Sequence, residues 1–273
     1  MKRWRVLAII IAAIALLPLW MQLIKSVAPV ETVDTVSVIP TGFEPMAYVR
    51  FLRAGGWRWV CNSLMVSSVA TVGQSVIAAL AAYAFAWKEF KGRDTIFWLM
   101  VVSMALPAQA LLVPRFMLAR QLGLTGYPGL MLAYLSVTGQ IFLVRQFCKS
   151  LPREVIDAAR VDGAGEARLF FQVAAPMMVP ALVLVGVAAF VGTWLDLFWP
   201  MLFLRGDSMT LAPGLYWFHT TGVATDLGGS VWNMQEKLRQ QMAGGIISFV
   251  PLLVLFLAFQ KRLNEGYSES WVG

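Results

Sequence analysis

The sequence predicts an all-α, polytopic membrane protein with six transmembrane helices and one long polar, helical loop. Three observations predict it. Of 273 residues, 59% are hydrophobic and only 14% are charged, whereas a soluble domain carries about 25% charged residues. The apolar residues gather into runs of about 20, the length a helix needs to cross the bilayer core. The longest polar stretches are too short to enclose a core of their own, so residues 1–273 read as a single transmembrane domain.

The chain opens on a basic stretch, KRWR at 2–5, followed by an apolar run at 6–24 interrupted by Pro18 and Gln22. Ser26-Val27-Ala28 has the small-x-small form of a signal-peptide cleavage site. Pro29 directly after it, and the length of the run, argue for an uncleaved first span. Residues 25–61 form a polar connection with Pro29, Pro40, Gly42 and Pro45. Its end, Tyr48 to Trp59, mixes aromatics with Arg50, Arg53 and Arg58, a pattern of interfacial segments. The second span, 62–86, is rich in Ala and Ser and holds Gly73, which lets neighbouring helices approach. A tight basic loop, Trp87 to Asp94, leads to the third span, 95–118. Pro107, Gln109 and Pro114 lie inside that span and imply either a broken helix beside a cavity or a plain proline kink. The fourth span is 129–147. The fifth, 181–204, contains Trp194, Asp196, Trp199 and Pro200. A polar loop at 205–240 precedes the sixth span, 242–259, and a short polar tail ends the chain.

Six spans place both termini on one side. That side carries the larger share of the 22 Lys and Arg residues, which puts the termini and the polar loop 150–180 in the cytoplasm. The net charge of +7 is therefore an orientation signal and does not point to nucleic acid. Cys61 and Cys148 fall on opposite sides, so no disulfide is expected. His219 has no companion Cys or His, so no metal site is expected.

The polar loop is organised as two helices. Pro152 stands near a helix start, where its missing N–H is harmless. A helical run covers Arg153 to Val161, and Gly163 sits where a left-handed residue would end it. A second run, Glu166 to Ala174, leads to Pro176 and Pro180. Helical spacing puts Val155, Ala158, Ala159 and Asp162 on one face, with Asp157 and Arg160 paired beside it. A short helix with a small, mildly apolar face suits docking into a groove of another protein. The alternative is a solvated loop that happens to be helical.

Catalytic constellations are missing. The chain has no HExxH pair, no GxSxG elbow and no GxxxxGK[ST] phosphate loop, so it reads as a non-enzyme that does not itself bind ATP. Asp196 is the one acidic residue deep in an apolar run. An intramembrane carboxylate is a functional candidate: with Trp194 and Trp199 it lines a polar pathway, or else it caps or salt-bridges a neighbouring helix. What remains is passage or signalling through a helical bundle moved by a separate partner.

The stretch LPREVIDAARVDGAGEARLFFQVAAPMMVPAL closely resembles the EAA loop of permease subunits in bacterial ABC importers. Asp157-Ala158-Ala159 stands for EAA, Gly163 for the glycine and Ala175-Pro176 for Leu-Pro, with Asp replacing Glu and Ala replacing Leu. Asn62-Ser63-Leu64, Phe90-Lys91-Gly92-Arg93, the surroundings of Pro107 and Pro114, Trp194 to Pro200, Thr210 to Tyr216 and Gln260 to Gly266 resemble the carbohydrate-type permeases of maltose and glycerol-phosphate importers. Leu195 stands where those permeases usually have Asn. Ser268 to Gly273 replaces their Gly-rich end, which in some relatives reaches the ATPase.

The resemblance implies a permease for a sugar or sugar derivative (an oligosaccharide, glycoside or glycerol-phosphate-like solute), with an amino-acid importer permease as the alternative. It implies a heterodimer with a second permease, two cytoplasmic ATPase subunits that bind ATP and Mg, and an extracytoplasmic solute-binding protein, in a bacterial or archaeal cytoplasmic membrane. The chain itself is expected to hold no cofactor. Glu154, Asp157, Ala158, Ala159, Gly163 and Pro176 are the implied coupling residues. Trp194, Asp196, Trp199, Pro200, Pro107 and Gln109 are the implied pathway residues, and Tyr216 and Trp217 are the implied contacts to the binding protein.

Overall fold

Runs of Ala, Val, Ile and Leu satisfy their backbone hydrogen bonds locally as helices, which a bilayer requires of any spanning segment. The computed structural model describes residues 2–33, 35, 37–221 and 234–268, and the regular elements among them are all helical. They are α1 (Lys2–Ser26), α2 (Met46–Phe51), α3 (Trp57–Trp87), α4 (Arg93–Ser103), α5 (Leu112–Gln121), α6 (Gly126–Tyr134), α7 (Thr138–Ser150), α8 (Arg153–Val161), α9 (Glu166–Arg168), α10 (Ala175–Trp194), α11 (Phe198–Phe203), α12 (Leu211–Thr221) and α13 (Met234–Ser268). A kink at Gly55, which adopts φ 109°, joins α2 to α3, and a short π-helical stretch, Leu169–Ala174, joins α9 to α10. Among the described residues, 5 helical segments are long and apolar enough to cross a membrane, or 6 if the bent pair α4 and α5 is one span.

The helices depart from six straight rods at definite places. The third apolar run is broken rather than kinked: α4 stops at Ser103, Pro107 starts a 3-10 turn, Ala108–Leu111, and the two halves meet at 100°. Pro107 offers no N–H and pushes Leu106 out of the helical region. Pro114 falls in the first turn of α5, where its N–H would go unused. The fourth run is interrupted between Tyr134 and Thr138. The fifth was expected at 181–204, but helix already begins at Glu166, continues through α10 and ends at Trp194. The stretch 205–240 is not a loop throughout, because it holds α12 and the first turns of α13.

Where the sequence reads as one domain, the chain divides into two compact units: Met1–Ser63 with Gly206–Val254, and Leu64–Arg205 with Leu255–Gly273. In the first, Phe51 is fully buried and meets Trp59 and Phe218 edge-on, at 6.1 and 6.2 Å between ring centroids. Asn62 Nδ2 donates to the carbonyls of Asp207 (2.8 Å) and Met209 (2.9 Å), and Ser63 Oγ accepts the Leu211 N–H (2.7 Å). These bonds satisfy the otherwise orphaned start of α12. Arg239, only 1% exposed, donates to Glu44 (2.8 Å) and to the Ala28 carbonyl (3.0 Å) and pairs with Glu236 (2.9 Å). Glu236 also accepts from Arg50 and Gln240, each at 2.9 Å. Buried charges survive only when paired in this way. That pairing is why residues of loop-like composition fold as the start of α13.

The second unit has two apolar clusters. One gathers Tyr83, Phe85, Phe97, Val144, Ile156, Leu169 and Met178; the other gathers Val66, Leu130, Tyr134, Phe203 and Leu204. α10 and α4 pack on α7, α5 and α11 pack on α6, and α8 packs on the π-helical stretch Leu169–Ala174. Cys148 is buried here and Cys61 is exposed in the first unit; both are free thiols.

Gly129 sets the approach of α11 to α6. A Cβ there would lie 2.5 Å from Phe203 Cε1 and 2.6 Å from the Leu124 carbonyl oxygen, distances that force displacement of backbone as well as ring. Gly129→Ala is expected to destabilise the protein by about 1–3 kcal/mol, measured as thermal unfolding in detergent against wild type.

Candidate functional site

Two features of the second unit form the candidate site: the helical loop 150–180 and a polar cavity. The loop follows its sequence closely. Pro152 precedes α8, the helix runs Arg153–Val161, and Gly163 adopts φ 78°. The Asp162 and Gly163 N–H groups bond back to the Ala158 and Arg160 carbonyls, at 2.9 and 3.0 Å, closing the helix with a left-handed residue. Ile156 is fully buried and Ala159 half-buried against the core, so these two seat α8. The opposite side faces outward. Val161 is 88% exposed and Val155 44%, and Glu154, Asp157, Ala158, Asp162 and Gly163 are exposed beside them. The outward face therefore holds Val155, Ala158 and Asp162, as the spacing predicts, but Ala159 turns partly inward. Pro176 is exposed in the first turn of α10 and is separate from α8.

The loop is strapped to the end of α3. Arg160 Nη2 donates to the Trp87 carbonyl (3.1 Å) while its Nη1 bonds Asp157 (3.0 Å). Lys88 pairs with Glu166, which also accepts the Tyr83 hydroxyl at 3.1 Å. Two more arginines meet the same helix end: Arg145 Nε reaches the Phe85 carbonyl (3.4 Å) and Arg93 Nη1 the Lys88 carbonyl (3.2 Å). Arg145 is 5% exposed, and its guanidinium lies 3.6 Å from the Phe97 ring centroid. Arg145 and Arg160 thus satisfy two orphaned carbonyls in the last turn of α3, and Arg93 that of Lys88 just beyond it, at the negative end of a helix dipole.

The cavity, of about 520 Å³, opens between α3, the halves of the broken third run, α6, α7, α10 and α11. Gln74, Ser103, Arg115, Ser136, Thr138 and Gln140 supply its polar lining, with Tyr134 and Trp199 as aromatic walls. Gln140 Nε2 donates to Gln74 Oε1 (2.8 Å), and Arg115 Nη2 donates to Ser136 Oγ (3.0 Å). The Arg115 guanidinium stands 5.9 Å from the Trp199 ring centroid.

The structure brings only some of the expected pathway residues to this cavity. Trp199 lines it. Pro107 and Gln109 lie on the broken segment, whose neighbours Leu106 and Ala108 form the wall. Trp194 is 1% exposed and stacks on Phe190, so it is a core residue. Pro200 is buried. Asp196 does not line the cavity. Its carboxylate accepts the Tyr134 hydroxyl (2.8 Å) and the Phe198 N–H (3.0 Å) at the start of α11, the geometry of a cap. Missing from the sequence expectation were Gln74, Gln140 and above all Arg115. A lone arginine inside an apolar run is a signal in its own right. Tyr216 and Trp217 lie on α12, in the first unit, the former exposed and the latter half-buried. Residues 222–233 of the polar loop 205–240 lie outside the described residues.

Residues 74–269 match the family described as binding-protein-dependent transport system inner membrane component. The chain belongs to that family. Among curated relatives it is 31% identical over 224 residues to the arabinooligosaccharides transport system permease protein AraQ of Halalkalibacterium halodurans, covering 81% of this chain and 76% of the relative. It is 28% identical to the sn-glycerol-3-phosphate transport system permease protein UgpE of Salmonella typhi, covering 92% and 83%. In fold it matches a chain from the crystal structure of a bacterial ABC transporter that imports the acidic polysaccharide alginate, with a TM-score of 0.81, 22% identity and 94% coverage of each chain. Membership in this inner-membrane permease family, with several spanning helices, makes the protein a multi-pass membrane protein and a transport subunit rather than an enzyme.

Two substitutions in this family member test the roles read from the geometry. As a cap, Asp196 tolerates Asn: Asp196→Ala is expected to cost about 1 kcal/mol and Asp196→Asn much less, by thermal unfolding in detergent. Arg145→Met leaves the Phe85 carbonyl and the ion-pairing Asp94 without their buried partner. It is expected to cost about 1–3 kcal/mol, with faster amide exchange at the α3 end.

Proposed function

We propose that this chain is one of two permease subunits of an ATP-driven importer for a sugar or sugar derivative. Its inferred partners are a second permease, two ATPase subunits that supply the ATP and Mg chemistry, and an extracytoplasmic solute-binding protein. The termini and the loop 150–180 face the cytoplasm in this reading, consistent with the distribution of Lys and Arg. The chain contributes no phosphate loop and acts as the moved, non-catalytic part. The names of its relatives, which transport arabinooligosaccharides and glycerol phosphate, support a carbohydrate-type solute.

The observation that carries the reading is α8. It is seated by Ile156 and strapped through Arg160 to the last turn of α3, yet it presents Val155, Ala158, Val161 and Gly163 outward. An exposed apolar helix face on a rigid mount is a handle: a partner that grips it moves α3 with it. Nucleotide then drives the transporter between inward-open and outward-open states if the ATPase pair binds ATP better in one of them.

Ala158 points away from the chain's own core, so Ala158→Asp tests the grip without unfolding the subunit. In proteoliposomes holding the whole importer and its binding protein, uptake is expected to fall at least about tenfold while the subunit's thermal stability changes by no more than about 0.5 kcal/mol. Normal ATP-coupled uptake in that variant would sink the docking assignment.

A further inference from the structure

We infer that the polar cavity of the second unit is a saccharide site selective for anionic solutes, with Arg115 as the residue that recognises the carboxylate or phosphate. The inference rests on the importer reading above and adds the substrate class. Its walls have the composition of a sugar site. Trp199 and Tyr134 offer aromatic faces for the apolar side of a pyranose, and the amides of Gln74 and Gln140 with the hydroxyls of Ser136 and Thr138 surround them. A volume of about 520 Å³ lies within the usual range for small-ligand sites.

Arg115 sets the charge preference. Its guanidinium has five donors, and among the described residues one is used, on Ser136. It forms no ion pair among the described residues. The nearby acid, Asp196, does not line the cavity and makes no ion pair with Arg115 among the described residues; its carboxylate is turned to the Tyr134 hydroxyl and the Phe198 N–H. The fork is positioned from two sides, by Ser136 and by the face of Trp199, and the first turn of α5 adds its partial positive charge. An uncompensated cation in an apolar span is costly. A carboxylate or phosphate entering the cavity removes that cost and takes a bidentate, charge-assisted pair.

The test is equilibrium binding to the assembled importer in nanodiscs, without ATP and without the binding protein. The probes are trigalacturonate against its neutral methyl ester, and glycerol 3-phosphate against glycerol; the two arms separate carboxylate from phosphate recognition. Wild type is expected to bind at least one anion about tenfold or more tightly than its neutral counterpart. Arg115→Gln is expected to bring that ratio within about twofold, and Arg115→Lys to keep most of it. Gly192→Asp is an independent variant: it lines the cavity with nothing within 4 Å of its added Cβ, and its carboxylate would supply the missing counter-charge and abolish the preference. No anion preference in wild type, or a preference that survives both Arg115→Gln and Gly192→Asp, overturns the assignment. The same importer taking up its solute in an ATP-coupled manner would leave the function standing while the pocket fell. An anion preference in an assembly that shows no ATP-coupled uptake would do the reverse.

Discussion

The C-terminal end of α3 is the point on which the second unit depends. Its last carbonyls have no partners within the helix, and in an apolar setting each orphan is expensive. Arg145 and Arg160 meet the Phe85 and Trp87 carbonyls, and Arg93 meets the Lys88 carbonyl just beyond, from three different elements: the body of α7, α8, and the start of α4. One electrostatic need therefore joins four helices at a single place. The buried side chains around it, Phe85, Phe97 and Ile156, close the same region by apolar packing. α8 is tied directly to the last turn of α3 by the charge-assisted bond from Arg160 to the Trp87 carbonyl, at 3.1 Å.

In the proposed importer, a subunit that converts a partner's motion into rearrangement of its own helices needs a rigid handle, a rigid lever and a cavity whose walls belong to different segments. In that proposal α8 is the handle and α3 the long lever. The cavity walls come from α3, the broken third run, α6, α7, α10 and α11, so movement of any one of them changes its shape. The break at Pro107 is part of that arrangement. Free backbone at depth is tolerated where it lines a cavity, and the residues on either side of the proline do so.

The legible parts of the site were those governed by local rules. The bounds of α8 and the left-handed Gly163 follow from short-range spacing and from glycine's freedom at positive φ. Asn62-Ser63 and Thr210-Leu211 were visible only as family-like strings, and their reason lies in the bonds that join them at the start of α12. The fifth span starts earlier than expected because the helical run from Glu166 continues unbroken past Pro176 and Pro180 into α10. Asp196 was ambiguous because a capping carboxylate and a pathway carboxylate look alike in one dimension. Arg115 escaped notice among the prolines of its run, although a single charge there is as informative as the acid at 196.

By itself the sequence determined the membrane class, the approximate set of spans, the helical loop and the family. These depend on composition, on apolar run length and on patterns within one or two turns of helix, all of them local quantities. Tertiary structure alone decided which side of α8 faces out, which arginines end α3, and that Glu236 and Arg239 begin a helix instead of filling a loop. It also decided that Arg115, Gln74, Gln140 and Trp199 share one cavity while Asp196 serves a helix end. Those outcomes turn on pairing between residues far apart in the chain, where the cost of an unsatisfied buried charge or carbonyl selects the partner, and no local pattern records that choice.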